Sequence, residues 1–167
     1  MNIKFLILIL ISVLGIIGFA VFISGSDKNS KASLTETIGA KISVDHNFKT
    51  VGNIDYSKGI LYHSFPVKNS GTKNLEIANL TSSCACTKTF LRINGKDGPS
   101  FGMKGMSAPS SWRGIIKPGE SGEVVAAFDP TYHGPQGVGE ISRTVSFETN
   151  DPDNTYVELS FEGVVSK

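Results

Sequence analysis

Hydrophobic positions follow two different rules along this chain. From Phe5 to Ile23 the run FLILILISVLGIIGFAVFI holds no charged or strongly polar residue. As a helix rising 1.5 Å per residue it would reach roughly 28 Å, the depth of bilayer hydrocarbon. From Lys41 onward the apolar residues instead recur at every second position, in short runs bounded by Gly, Pro, Asn and Asp. That is the period of half-buried strands, and no apolar run of helical period there exceeds about two turns. Between the two regimes, Ser24 to Thr35 (SGSDKNSKASLT) is small, polar and charged, the composition of a chain that cannot bury enough apolar surface to order itself. The pattern therefore predicts an N-terminal membrane anchor or signal segment at 1–24, a flexible linker at 25–40 and an all-β domain at 41–167.

Individual strands can be drawn from the alternation. Val157, Leu159, Phe161 and Val164 are predicted to face one way, with Glu158, Ser160 and Glu162 on the other side. Ile141, Val145 and Phe147 alternate with Thr144, Ser146 and Glu148, and the connector Asn150-Asp151-Pro152-Asp153-Asn154 suits a tight turn, so the two runs should form a hairpin. Val124, Ala126 and Phe128 make a third set after the turn Lys117-Pro118-Gly119-Glu120. Leu61, Phe65 and Val67 make a fourth, and Pro66, which lacks a ladder donor, predicts an edge or a bulge there. Leu75 and Ile77 lead into the segment that carries both cysteines. Short strands at this spacing, each with one apolar face, predict two sheets packed face to face, with about seven strands in all.

Charge and cysteine content narrow the class of partner. Sixteen Lys and Arg stand against fifteen Asp and Glu, so there is no net field to recruit nucleic acid or an anionic surface. Two cysteines do not make a disulfide-built miniprotein, and hydrophobic packing must hold the domain. The apolar run is longer than a usual signal core, and Gly18 and Ala20 match a cleavage site poorly, which favours an uncleaved anchor over a cleaved leader. No cysteine follows the run to take the lipid of a bacterial lipoprotein. Lys4 lies before the span and Lys28 and Lys31 after it, so positive charge does not set the orientation.

Six motifs then recur in one order: Val51-Gly52-Asn53-Ile54, Phe65-Pro66-Val67-Lys68-Asn69-Ser70-Gly71, Ser82-Ser83-Cys84-Ala85-Cys86-Thr87, Lys117-Pro118-Gly119-Glu120-Ser121-Gly122, Phe128-Asp129-Pro130 and Thr149-Asn150-Asp151-Pro152. Over about residues 48 to 165 the chain resembles the bacterial family known as domain of unknown function 1573. The resemblance implies an immunoglobulin-like β-sandwich related to Hydin and major-sperm-protein modules, exported from bacterial cells and with no established activity. It places the domain in the bacterial cell envelope, outside the cytoplasm on a single-pass inner-membrane anchor, or periplasmic or secreted if the leader is cleaved. The chain departs from the family at Arg92 to Gly114, which reads as an inserted loop (92–114) of a length that is uncommon unless the loop is functional or mobile.

Candidate chemistry is sparse. Cys84 and Cys86, two apart on an extended strand, project from one face. Their plain reading is a pair of small half-buried thiols or a local disulfide. Their chemical reading is a soft-metal site for copper, since thiolates and thioethers select Cu(I), with Met103 and Met106 of the inserted loop as further ligands. A redox role is disfavoured because the pair lacks the helix N-terminus that activates a thioredoxin-like thiol. The plain reading of both methionines is gap-filling under a long loop. His46, His63 and His133 read as surface or strand residues, with His133 alone worth testing beside the methionines. Asp129, Asp151 and Asp153 neighbour prolines and read as turn residues, and Gly134, Gly137 and Gly139 do not space a phosphate cradle. Trp112 either anchors a partner or seals the insertion.

No nucleophile, base and orienting group converge, so the sequence predicts no enzyme and no cofactor, copper being the alternative. The leading expectation is a membrane-tethered binding module that offers the Pro66 edge or the 92–114 loop to an envelope protein.

Overall fold

The computed structural model describes residues 3–24 and 30–167. Ile3–Ser24 form one α-helix, α1, the only helix among the described residues long and apolar enough to cross a membrane. Lys31–Lys167 form a second, separate compact unit.

This unit is an all-β sandwich. Its strands are β1 (Ile42–Val44), β2 (Phe48–Asp55), β3 (Leu61–Asn69), β4 (Leu75–Ser82), β5 (Thr87–Ile93), β6 (Lys96–Asp97), β7 (Arg113–Ile116), β8 (Ser121–Phe128), β9 (Gly139–Thr149) and β10 (Tyr156–Ser166). One sheet runs β1-β3-β8-β5-β6 and the other β2-β10-β9-β4-β7. The strands exceed the expected seven because β1, β6 and β7 are only two to four residues long, too short for alternation to show in the sequence. All pairings are antiparallel except β2 with β10, which run parallel.

The core lies between the sheets. Phe65 and Val67 of β3, Leu75 and Ile77 of β4, Val124, Ala126 and Phe128 of β8, Val145 and Phe147 of β9, and Leu159 and Phe161 of β10 are all buried there. Each of these side chains except Ala126 contributes about 1.5–3 kcal/mol by leaving water. The β9–β10 hairpin forms as the alternation predicts, with Tyr156 opposite Glu148 and Leu159 opposite Val145. Its inward phase continues through Gly163 to Val165, so Val164 does not face the core and is 45% exposed. A glycine at the inward position hides the true phase, and its absent side chain leaves space that Val51 and Ile54 of β2 occupy.

Pro66 marks a break in pairing. The β1–β3 ladder runs from Ile42 opposite Asn69 to Val44 opposite Val67 and stops one residue short of it. Asp45 N still donates to Pro66 O at 3.4 Å, so the proline nitrogen points to the same side, where it has no hydrogen to offer. Residues 61–65 therefore have a ladder partner only on the β8 side.

Two expectations need correction. Residues 31–40 of the expected flexible linker lie against the sandwich: Ala32 and Ala40 are buried, Ala32 N donates to Ser110 O at 3.0 Å, Asn79 Nδ2 donates to Ala32 O at 2.9 Å, and Thr37 N donates to Asn150 O at 2.8 Å. The two alanines are small enough to pack, and the backbone finds partners that composition cannot reveal. Residues 25–29 lie outside the described residues. The 92–114 insertion is likewise ordered. After Asn94-Gly95, both at positive φ as a tight hairpin turn requires, β6 folds back on β5. The chain then bridges Phe101 to Thr89 and Met103 to Ser82, and joins the other sheet as β7 beside β4. The insertion thus crosses from one sheet to the other and closes that side of the sandwich.

At one end, buried polar side chains replace ladder bonds. Asn69 Nδ2 donates to Lys73 O and Ile116 O. Asn150 Oδ1 accepts from Glu76 N at 2.8 Å. The Asp151 carboxylate accepts from Ile42 N (3.0 Å), Asp153 N (2.9 Å) and Asn154 Nδ2 (3.0 Å). The cysteines lie near the opposite end, where β4 of one sheet turns into β5 of the other.

Candidate functional site: the Cys84–Cys86 corner

The corner between β4 and β5 is built by short-range bonds. Thr87 N donates to Cys84 O at 3.0 Å, and the buried Ser82 Oγ lies 2.9 Å from Cys84 O and 2.6 Å from Thr87 O. Ser83 is fastened to β9 from both sides, its N donating to Thr144 O and its Oγ accepting from Thr144 N, each at 2.9 Å. Cys86 O accepts from Asp129 N at 2.9 Å, which ties the corner to the loop after β8.

Within this frame Cys84 and Cys86 form a disulfide with a Cα separation of 5.2 Å. A bridge that closes so few residues removes little entropy from the unfolded chain, so on that account it adds little to stability. The two sulfurs have unlike surroundings. Cys84 is half-buried, with its Sγ 3.4 Å from Nε2 of His133, an exposed residue. Cys86 is 2% exposed, and its Sγ accepts a hydrogen bond from Arg143 Nε at 3.1 Å.

Both neighbours are held in place. Asp129 Oδ1 accepts from Thr131 N and Thr131 Oγ1, and Gly134 N donates to Thr131 O, which folds the loop that carries His133. Tyr132 packs edge-on to the imidazole. Arg143 stands on β9 in the inward phase between Ile141 and Val145. Its guanidinium lies 5.5 Å from the Phe128 ring centre, and Nη1 donates to Ser142 O at 2.8 Å. Burial pulls its pKa below the ordinary value, but an arginine keeps its charge in proteins. The Cys84, Cys86 and His133 ligand atoms lie within 4.8 Å of one another. The corner thus holds two sulfurs, an imidazole and a fixed cation.

The remaining sequence candidates sit elsewhere. Met106 is 70% exposed on the insertion, and Met103 lines a surface groove with Asn79, Thr81, Phe101, Glu148 and Tyr156. Trp112 packs on Phe101, with centroids 5.8 Å apart, and its ring lies where a side chain on Gly98 or Gly114 would go. These contacts are those of the sealing role that the sequence offers for it beside the anchoring one. His46 and His63 cluster with Phe65, their Nε2 atoms buried without a hydrogen-bond partner. Asp129 and Asp151 serve turns, as their prolines suggest. Arg143 is the residue that sequence reasoning missed.

Two packed sheets with an inward-facing core define this unit as an immunoglobulin-like β-sandwich. The family described as "Protein of unknown function (DUF1573)" matches residues 42–93, so the resemblance read from the sequence holds over β1 to β5 and the cysteine corner. His133 and Arg143 lie beyond that segment. Among curated proteins none matches this chain. A crystal structure of a protein of unknown function from Porphyromonas gingivalis W83 is similar to it, at a TM-score of 0.56 and 16% identity over 79% of this chain and 50% of that one. This chain therefore spans half the length of the Porphyromonas protein. The ASH/PapD-like domain 7 of human CEP192 gives a TM-score of 0.47 at 14% identity, over 80% of this chain and 91% of that domain.

Proposed function

We propose that this chain is an extracytoplasmic interaction module held at a membrane by α1, and that it meets its partner proteins through thiol–disulfide exchange at Cys84. The observation that carries the reading is the asymmetry of the two sulfurs. Exchange proceeds by in-line attack of a thiolate on one sulfur while the other departs. The half-buried Cys84 is the sulfur an incoming group can reach, and the buried Cys86 departs toward the Arg143 guanidinium, which stabilises its negative charge.

In the first step a thiolate of a partner dithiol attacks Cys84 Sγ. A mixed disulfide forms, the Cys84–Cys86 bond breaks, and Cys86 leaves as a thiolate. In the second step the partner's other thiol loses its proton and attacks the partner sulfur of the mixed disulfide. Cys84 leaves with the electron pair and takes up a proton, for which His133 Nε2 is the adjacent relay. The partner dithiol is oxidised to a disulfide, and the pair is reduced to a thiol at Cys84 and a thiolate at Cys86. The module acts as a stoichiometric partner in this exchange and not as an enzyme with a separate substrate. Export is supported by the family resemblance and by a disulfide that suits an oxidising compartment.

The test uses the oxidised full chain in detergent, mixed briefly with glutathione, trapped by alkylation and mapped by peptide mass. The expected result is glutathione on Cys84 and the alkylating group on Cys86. Glutathione found on Cys86, or a bridge that glutathione and a small dithiol both fail to open, refutes the reading.

A further inference from the structure

We propose that the reduced Cys84–Cys86 pair, together with His133, binds one Cu(I) ion, and that Arg143 balances the charge of the filled site. This inference rests on the preceding reading only in requiring that the bridge can be opened. Its ligands are Cys84 Sγ, Cys86 Sγ and His133 Nε2, whose mutual separations of at most 4.8 Å fit donors around a single ion. Ligands about 2.0–2.3 Å from one metal lie roughly 3–4.6 Å apart, so opening the bridge needs only small side-chain rotations to place all three.

The donor set selects the metal. Thiolate sulfur is soft and favours Cu(I), and imidazole also suits copper. A structural Zn(II) site closes with four protein ligands, whereas three ligand residues converge here. Two thiolates and one monovalent copper leave a single negative charge, which would be costly beside the buried Cys86. Arg143 Nε, 3.1 Å from Cys86 Sγ, supplies the matching positive charge. The corner itself is held by Ser82, Ser83 and Thr87, so its donors are positioned before the ion arrives. The ligand set differs from the one expected from sequence. Met106 projects into solvent and Met103 lines the groove beside Tyr156, while His133 takes the third position.

The test is a competition for Cu(I) between bathocuproine disulfonate and the full chain in detergent, after reduction and removal of the reductant under nitrogen. Free thiols are counted on the same sample. The reduced protein is expected to withdraw one Cu(I) per chain from the chelator, and the oxidised protein none. Cys84→Ser and Cys86→Ser are each expected to abolish withdrawal. His133→Ala should weaken it by at least ~10-fold, since even residues that only support a metal ligand are worth about 10–100-fold. Met103→Leu with Met106→Leu should leave it unchanged. Two thiols per chain with no copper withdrawn overturns this inference and leaves the exchange reading standing. No thiols after reduction overturns the exchange reading as well. Unchanged affinity in His133→Ala, or a loss in the methionine double variant, overturns the ligand assignment.

Discussion

Asp151→Ala removes a carboxylate that is 1% exposed and fastens β1 to the turn between β9 and β10. Its Oδ2 accepts from Ile42 N and Asn154 Nδ2, and its Oδ1 accepts from Asp153 N. The Asp153 and Asn154 donors belong to the same turn and can rotate toward water. Ile42 N cannot, because it opens β1 at a buried position and would be left without an acceptor. A net loss of about 1.5–3 kcal/mol for a hydrogen bond to a charged group, plus part of the turn, gives an expected cost of ~3 kcal/mol. At roughly 3–5 °C per kcal/mol for a domain of this size, the melting temperature should fall by ~10 °C.

Asp151→Asn keeps one oxygen where three donors converge and turns an NH2 toward another donor, so it should lose about half as much. Burial alone would raise the Asp151 pKa, but the bonds from Ile42, Asn154 and Asp153 and the charge of Lys41 outweigh it, and the carboxyl stays below its usual range. The stability it confers is therefore complete above the unfolded carboxyl pKa of about 3.9 and is lost as pH falls through the lower, folded value. The wild type should approach the Asn variant in acid. The assay is thermal melting of the full chain in detergent, read by the fluorescence of Trp112, the sole tryptophan. A melting point for Asp151→Ala within ~3 °C of wild type at pH 7 would refute the assignment of Asp151 as the fastening of β1.

Gly114→Ala would drive its Cβ into Leu91 Cδ2 and the Trp112 ring, and should cost about 1–3 kcal/mol while shifting Trp112 emission to the red; an unshifted spectrum would mean the insertion is not sealed this way. His63 has its pKa lowered, first by burial and then by the positive charge of His46 and Lys49. Its contribution is full above about pH 6.5 and is lost as pH falls through the lower, folded value, so urea midpoints should drop below pH 6.5 and do so less in His63→Gln; parallel curves would count against it. Protease added to intact bacterial cells permeabilised only at the outer membrane should cut the sandwich, and full protection would place it in the cytoplasm.

The hairpin of β9 and β10 was legible because five or more alternating residues on each strand share one phase. Where alternation thinned, the reading failed by single positions. Gly163 conceals the inward register, so alternation alone points to Val164 in place of Val165. Residues 31–40 look like a linker by composition, yet two alanines and a few backbone donors suffice to lay them on the sheet. The cysteine corner was visible as a pair, but its neighbours come from residues 133 and 143, about 50 and 60 positions away, and depend on how the two sheets stack. One signal did exist: Arg143 occupies the inward phase between Ile141 and Val145, where an apolar residue belongs. A charge in that position announces a partner inside the sandwich, and here that partner is Cys86 Sγ.

The pairing of β2 with β10 has a temporal consequence. β2 has no other neighbour in its sheet, and the strand that completes it is made about a hundred residues later. Until then β2 lacks the strand it pairs with, and contacts so distant in sequence form slowly. The edge of the sandwich at β2 is therefore completed only by the last strand of the chain, after every other strand has been made.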